Sequence, residues 1–151
     1  MPHKSKWLYP LWIGLWAGVW FVGLGFLNQL FHTSQLEPLF LAEPLFHHAF
    51  LLTLWGTLFG ALFTLFVSAC LAFAYAFLLG KQKGPWLGLG YGALLYVLLT
   101  LTVAPWLHLL HTYGVWRMDT FIVEACRFLL WGVFVGYSIS YEFSDVQART
   151  A

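Results

Sequence analysis

The stretch DTFIVEACRFLLWGVFVGYSISYE, Asp119 to Glu142, decides how the chain must fold. At ~1.5 Å of rise per residue, a helix of this length reaches roughly 36 Å, enough to cross a hydrocarbon core of about 30 Å. It holds the one charged pair placed inside an apolar run, Glu124 and Arg127. A close-packing pattern, Gly132-x-x-x-Gly136, follows. Three residues apart, Glu124 and Arg127 are neighbours on one helix face and can pair. If the helix starts at Asp119, Glu124 lies about 7 Å below its outer end, where a helix N-terminus favours an acid. This spacing leaves Arg127 within snorkelling reach of the interface.

Composition widens that conclusion to the whole chain. Of 151 residues, 61% are hydrophobic, 21% aromatic and 9% charged. Soluble globular proteins carry about 25% charged residues, so lipid must be the main solvent here. The net charge of +1 comes from scattered residues and implies no nucleic-acid partner. Cys70 and Cys126 fall inside apolar runs and read as small buried hydrophobes.

Working outward from the last run, four spans emerge, at roughly 8–31, 46–79, 85–107 and 119–141, within a single integral membrane domain. The first follows Lys4 and Lys6 and is too long for the 7–15 residue core typical of a signal peptide. The second is too long for one straight crossing and needs tilt or projection. Gly80-Lys-Gln-Lys-Gly-Pro85 makes a tight polar turn before the third. Asp119 suits an N-cap for the fourth. Lys4, Lys6, Lys81, Lys83 and Arg149 gather on one side and Arg117 on the other. The positive-inside rule then puts both termini in the cytoplasm, with the connections at 32–44 and 108–118 outside.

Every span carries glycines four apart: Gly14/Gly18, Gly56/Gly60, Gly88/Gly92 with Gly84 before them, and Gly132/Gly136. In lipid, helices associate by close backbone approach, so this recurrence predicts an all-α, four-helix bundle tightly packed through G-x-x-x-G contacts. Trp12, Trp16 and Trp20 lie two positions from Gly14 and Gly18, about 200° around the first helix. They face lipid or a partner. Thr53, Thr57, Gly60, Thr64 and Ser68 form a stripe on the second span. It reads either as a polar path or as ordinary interhelical hydrogen bonding by small residues.

Catalytic signatures are missing from the sequence: there is no P-loop, G-x-S-x-G or dinucleotide-binding glycine pattern. Five of the six histidines fall on the outer side. His47, His48, His108 and His111, with Glu37, Glu43 or Asp119, are weak candidates for a divalent metal. No H-E-x-x-H or C-x-x-C spacing supports them, so no metal and no cofactor is expected.

The segment Trp131-Gly-Val-Phe-Val-Gly-Tyr-Ser-Ile-Ser-Tyr-Glu142 resembles the end of the YqhR-type conserved membrane proteins of spore-forming Gram-positive bacteria. Trp12-Ile-Gly-Leu-Trp-Ala-Gly18 and the proline-containing outer loop are similar as well. The resemblance implies a small multi-pass plasma-membrane protein and supplies no catalytic residues. The expectation is therefore a non-enzymatic protein that acts by packing with itself, as a homo-oligomer, or with a membrane partner. The alternative is an ion or solute transport component using Glu124, Arg127 and the Thr53–Ser68 stripe.

Overall fold

The structure is a computed structural model, which describes residues 5–32, 42, 45–82, 84–106 and 118–150. Among these residues the only regular elements are helices. In chain order they are α1 (Ser5–Leu30), α2 (His48–Leu51), α3 (Leu54–Leu79), α4 (Pro85–Trp106) and α5 (Met118–Thr150). Four of them, all but the single turn α2, are long and apolar enough to cross a membrane.

Local chemistry sets the boundaries. Pro10 is the sixth residue of α1, so the helix runs on past it without the backbone N–H that would have met the residue 6 carbonyl. The long run read as one span from 46 to 79 is broken after α2. Thr53 takes an extended backbone (φ −80°, ψ 155°), and its hydroxyl oxygen accepts from Gly56 N–H at 3.1 Å. Thr53 thus caps a new helix, which explains how so long a run avoids one oversized crossing. At the other end, Gly84 has φ +134°, a conformation open to glycine, and Pro85 opens α4 in the first helical position. α5 begins at Met118, so Asp119 lies in its first turn rather than before it. The same helix continues to Thr150, well past the boundary near 141 expected from hydropathy.

α1 packs between α3 and α5, and α5 packs along α4. A Cβ added at Gly14 would fall 2.6 Å from the Ala69 Cα, and one at Gly18 would fall 3.0 Å from the Ser68 Cβ. The rising numbers in α1 meet falling numbers in α3, so the pair is antiparallel. α4 and α5 approach backbone to backbone. A Cβ at Gly88 would meet the Gly132 carbonyl oxygen and lie 2.7 Å from the Gly136 Cα. One at Gly132 would meet the Gly88 carbonyl oxygen and lie 2.8 Å from the Gly92 Cα. Gly56 behaves differently, resting against Phe50 and Leu51 of the α2 turn instead of another span. Gly60 is buried.

The core lies along the α5 seam. Phe128, Trp131, Val135 and Ile139 are buried there, against Phe21 of α1, Tyr75 of α3 and Tyr91 of α4. The outer surface is apolar too: Leu54 is 86% exposed and Trp86 80%. Such a surface would aggregate in water, but lipid solvates it. Cys70 and Cys126, expected to be buried, are both exposed on this outer surface. A 3.6-residue period applied to an almost wholly apolar helix does not distinguish the lipid side from the core.

Candidate functional site

Glu124 and Arg127 are buried on α5, 1% and 2% exposed. Arg127 Nη1 donates to Glu124 Oε1 at 3.1 Å. The guanidinium carbon lies 4.0 Å from the centroid of the Phe21 ring of α1, a cation–π geometry. Phe21 in turn meets Phe128 edge-on at 5.0 Å, and Phe128 contacts Tyr96 of α4 at 5.6 Å. Tyr96 donates its hydroxyl to the Phe121 carbonyl at 3.0 Å, tying α4 to α5 one turn from Glu124.

Depth follows from Phe21. It is nine residues from the end of the Leu8–Leu30 span and thirteen from its start, roughly 14 and 20 Å at ~1.5 Å per residue. In a hydrocarbon core of about 30 Å, the guanidinium therefore sits near the middle. It is also enclosed by protein, so Arg127 does not snorkel to the interface. Keeping a charge at that depth costs several kcal/mol unless it is matched, and Glu124 and the Phe21 ring supply matching groups.

A second polar group joins three helices. Trp131 Nε1–H donates to Ser68 Oγ at 2.8 Å, and Ser68 Oγ–H donates to the Gly14 carbonyl at 2.7 Å. Trp131 also stacks on Tyr91 (6.2 Å, 29°), which meets Tyr75 edge-on at 5.1 Å and donates to the Leu71 carbonyl at 3.0 Å. The other hydroxyls of the stripe stay on carbonyls of α2, α3 and the break between them, Thr53 donating to Phe50. Thr57 donates to the carbonyls of Leu51 and Thr53, and Thr64 to Gly60 at 2.9 Å. Beside Thr64 and Ser68 is a void of about 20 Å³, with Phe21, Leu95 and Phe128 among its walls. That is room for about one water.

A larger hollow lies between α1 and α5. This groove of about 600 Å³ is lined by Ala17, Trp20, Phe21 and Leu24 on one side. On the other are Arg127, Leu130, Trp131, Val133, Phe134 and Tyr137. Trp20, Leu130 and Tyr137 are 60–63% exposed, so it opens onto the bilayer.

The structure brings Glu124 and Arg127 together, and keeps Gly88/Gly92 against Gly132/Gly136. Trp12, Trp16 and Trp20 are 61%, 53% and 63% exposed, on the side of α1 away from Gly14 and Gly18. Among the described residues no three histidine, cysteine or carboxylate side chains gather as a metal site. His47 is exposed; His108, His111, Glu37, Glu43 and the side chain of His48 lie outside the described residues. Sequence reading missed Phe21 beneath Arg127 and the Trp131–Ser68–Gly14 link. Ser68 stood out as polar, but nothing within one helix names its partner on another.

Comparison with known proteins finds the family described as conserved membrane protein YqhR over residues 6–151. A relative is the uncharacterized protein YqhR of Bacillus subtilis (strain 168). It is 31% identical over 141 residues, covering 90% of this chain and 76% of the relative. No solved structure matches. A membrane-spanning helical fold, the family match along nearly the whole chain and this relative converge on one assignment: the chain belongs to the YqhR family of conserved membrane proteins.

Proposed function

We propose that this protein is a non-enzymatic packing component of the plasma membrane, associating with a second copy or a membrane partner through the Trp12/Trp16/Trp20 face. The observation that carries the reading is where its interior polar groups are spent. Thr57, Thr64 and Ser68 donate to helix carbonyls, Trp131 donates to Ser68, and Arg127 pairs with Glu124. Ser68 and Trp131 join three helices and the other groups are taken up within their own segments, a use that suits packing rather than the open polar path that transport through the α3 stripe would need. Close backbone contact at the glycine pairs belongs to the same reading: it makes a rigid body whose outer aromatic side is available for recognition.

Its orientation places both termini and the Lys81 turn in the cytoplasm, from the excess of lysine and arginine on that side. Replacing Trp12, Trp16 and Trp20 together with leucine keeps the surface apolar. The variant should insert and fold normally, yet lose the cross-linked species of the parent protein. An unchanged cross-linking pattern would remove this face as the contact.

A further inference from the structure

Exposed tryptophan belongs at the membrane–water interface, where the ring is buried and the N–H stays wet. Trp16 and Trp20 break that pattern. They lie roughly 12 and 18 Å into the Leu8–Leu30 span, at ~1.5 Å per residue, and more than half of each is exposed. Lipid tails at that depth hold no acceptor for an indole N–H, so lipid covers this ridge less well than a protein surface does.

The chain carries such a surface beside the ridge. Trp20 belongs both to the ridge and to the lining of the α1–α5 groove. The edge-on contact of Phe21 with Phe128 sets a common height for the two helices. Counted from Phe21 toward the α1 N-terminus at ~1.5 Å per residue, Trp20, Trp16 and Trp12 stand at roughly 2, 8 and 14 Å. α5, the fourth crossing, runs opposite to α1, the first. Counted from Phe128 toward its C-terminus, Leu130, Phe134 and Tyr137 of the groove wall stand at roughly 3, 9 and 14 Å. Ridge and wall agree in length, spacing and depth. Two copies of one chain share an orientation, so a two-fold axis relating them runs along the membrane normal and conserves depth. Each ridge residue then meets the other copy's groove at its own height. An unrelated membrane protein would have to reproduce that register; a second copy has it by symmetry.

We propose that two copies of the chain associate with Trp12, Trp16 and Trp20 of each seated in the α1–α5 groove of the other. This rests on the association through the tryptophan face proposed above and adds to it the partner and the receiving surface.

The test is energy transfer between full-length chains in phosphatidylcholine vesicles, followed as lipid dilutes the protein. Donor and acceptor dyes are attached at Lys81→Cys, in a background of Cys70→Ala and Cys126→Ala. The parent should show saturable transfer that unlabelled parent competes. A ridge variant, Trp16→Leu with Trp20→Leu, and a groove variant, Val133→Trp, should each self-associate roughly tenfold more weakly, the size of about two lost aromatic pairings. Phe134→Ala with Tyr137→Ala strips the groove wall at exposed positions, should do the same, and stands in if Val133→Trp does not fold. The decisive sample mixes donor-labelled ridge variant with acceptor-labelled groove variant. That pair keeps one of its two ridge-in-groove contacts, so its transfer should exceed that of either variant with itself. Transfer lost in the ridge variant but unchanged in the groove variants overturns the groove as receiving surface and leaves the association standing. A parent without saturable transfer overturns the second copy as partner and leaves the face to a different protein. A mixed pair no stronger than the single variants overturns the reciprocal fit. Transfer unchanged in every variant overturns this inference and the tryptophan face together.

Discussion

Trp131 donates its indole N–H to Ser68 Oγ at 2.8 Å, fastening α5 to α3 through a serine that is itself anchored on the α1 carbonyl of Gly14. The bond lies where lipid offers no replacement partner. Ser68→Ala should therefore cost about 1–3 kcal/mol, the range for a buried donor left unsatisfied. Trp131→Phe removes the donor instead. The double variant should lose less than the sum of the two single changes when thermal unfolding is followed in detergent.

The α4–α5 contact predicts a contrast among glycines. Gly88→Ala or Gly132→Ala would drive a methyl into the facing backbone, which no rotamer change can relieve. The expected loss is about 1–3 kcal/mol or more, as for other overpacked sites. Nothing lies within 4 Å of a Cβ at Gly23 or Gly90. Gly90→Ala should be neutral, or stabilising by up to ~1 kcal/mol through helix propensity. Equal melting temperatures for Gly88→Ala and Gly90→Ala would refute the backbone contact.

Charge balance at Glu124 and Arg127 gives a third contrast. Replacing either residue alone, as Glu124→Gln or Arg127→Met, leaves a buried charge and should destabilise by about 3–5 kcal/mol. The double replacement should recover most of that loss. Stability of all three variants in one detergent, by thermal aggregation or chemical unfolding, is the measurement. A double variant as unstable as the two singles combined would show that the pair is not acting as a pair.

The outward positions of Cys70 and Cys126 can be checked by chemistry. A membrane-impermeant maleimide should leave both thiols unlabelled in sealed vesicles, whereas a carbene-generating photoprobe dissolved in the bilayer should label both; failure of that probe to label either would place them inside the bundle. A cysteine introduced at Lys81, in a background lacking both native cysteines, should react from the cytoplasmic side alone.

Much of the architecture was written in hydropathy. An apolar helix reports its length directly, and four long runs gave four long helices. Gly88, Gly92, Gly132 and Gly136 approach one another across α4 and α5. Sequence reading was weaker wherever a neighbour decides the outcome. Gly56 carries the same spacing but packs on a single turn of its own segment, because Thr53 breaks the run ahead of it. Cys70 and Cys126 look like core residues by composition and face outward. Arg127 lies about 12 Å below Asp119 when counted along its own helix, and what that count does not show is that the side chain is enclosed. Phe21, on another helix, covers the guanidinium at a similar depth. Depth along one helix is legible locally; enclosure is a property of the pair.

The length of α5 has one more consequence. Ser140 lies level with the α3–α4 turn, its hydroxyl oriented toward the Gln82 carbonyl at 3.4 Å, and the helix continues unbroken to Thr150. About 15 Å of helix at ~1.5 Å per residue thus stands past that turn. Ser144 Oγ–H donates to the Ser140 carbonyl and Arg149 bridges Asp145 along this part. A continuous rod seated on glycines inside the bilayer is a lever. Any small change in its tilt, as lipid thickness imposes, becomes a larger sideways displacement at the far tip.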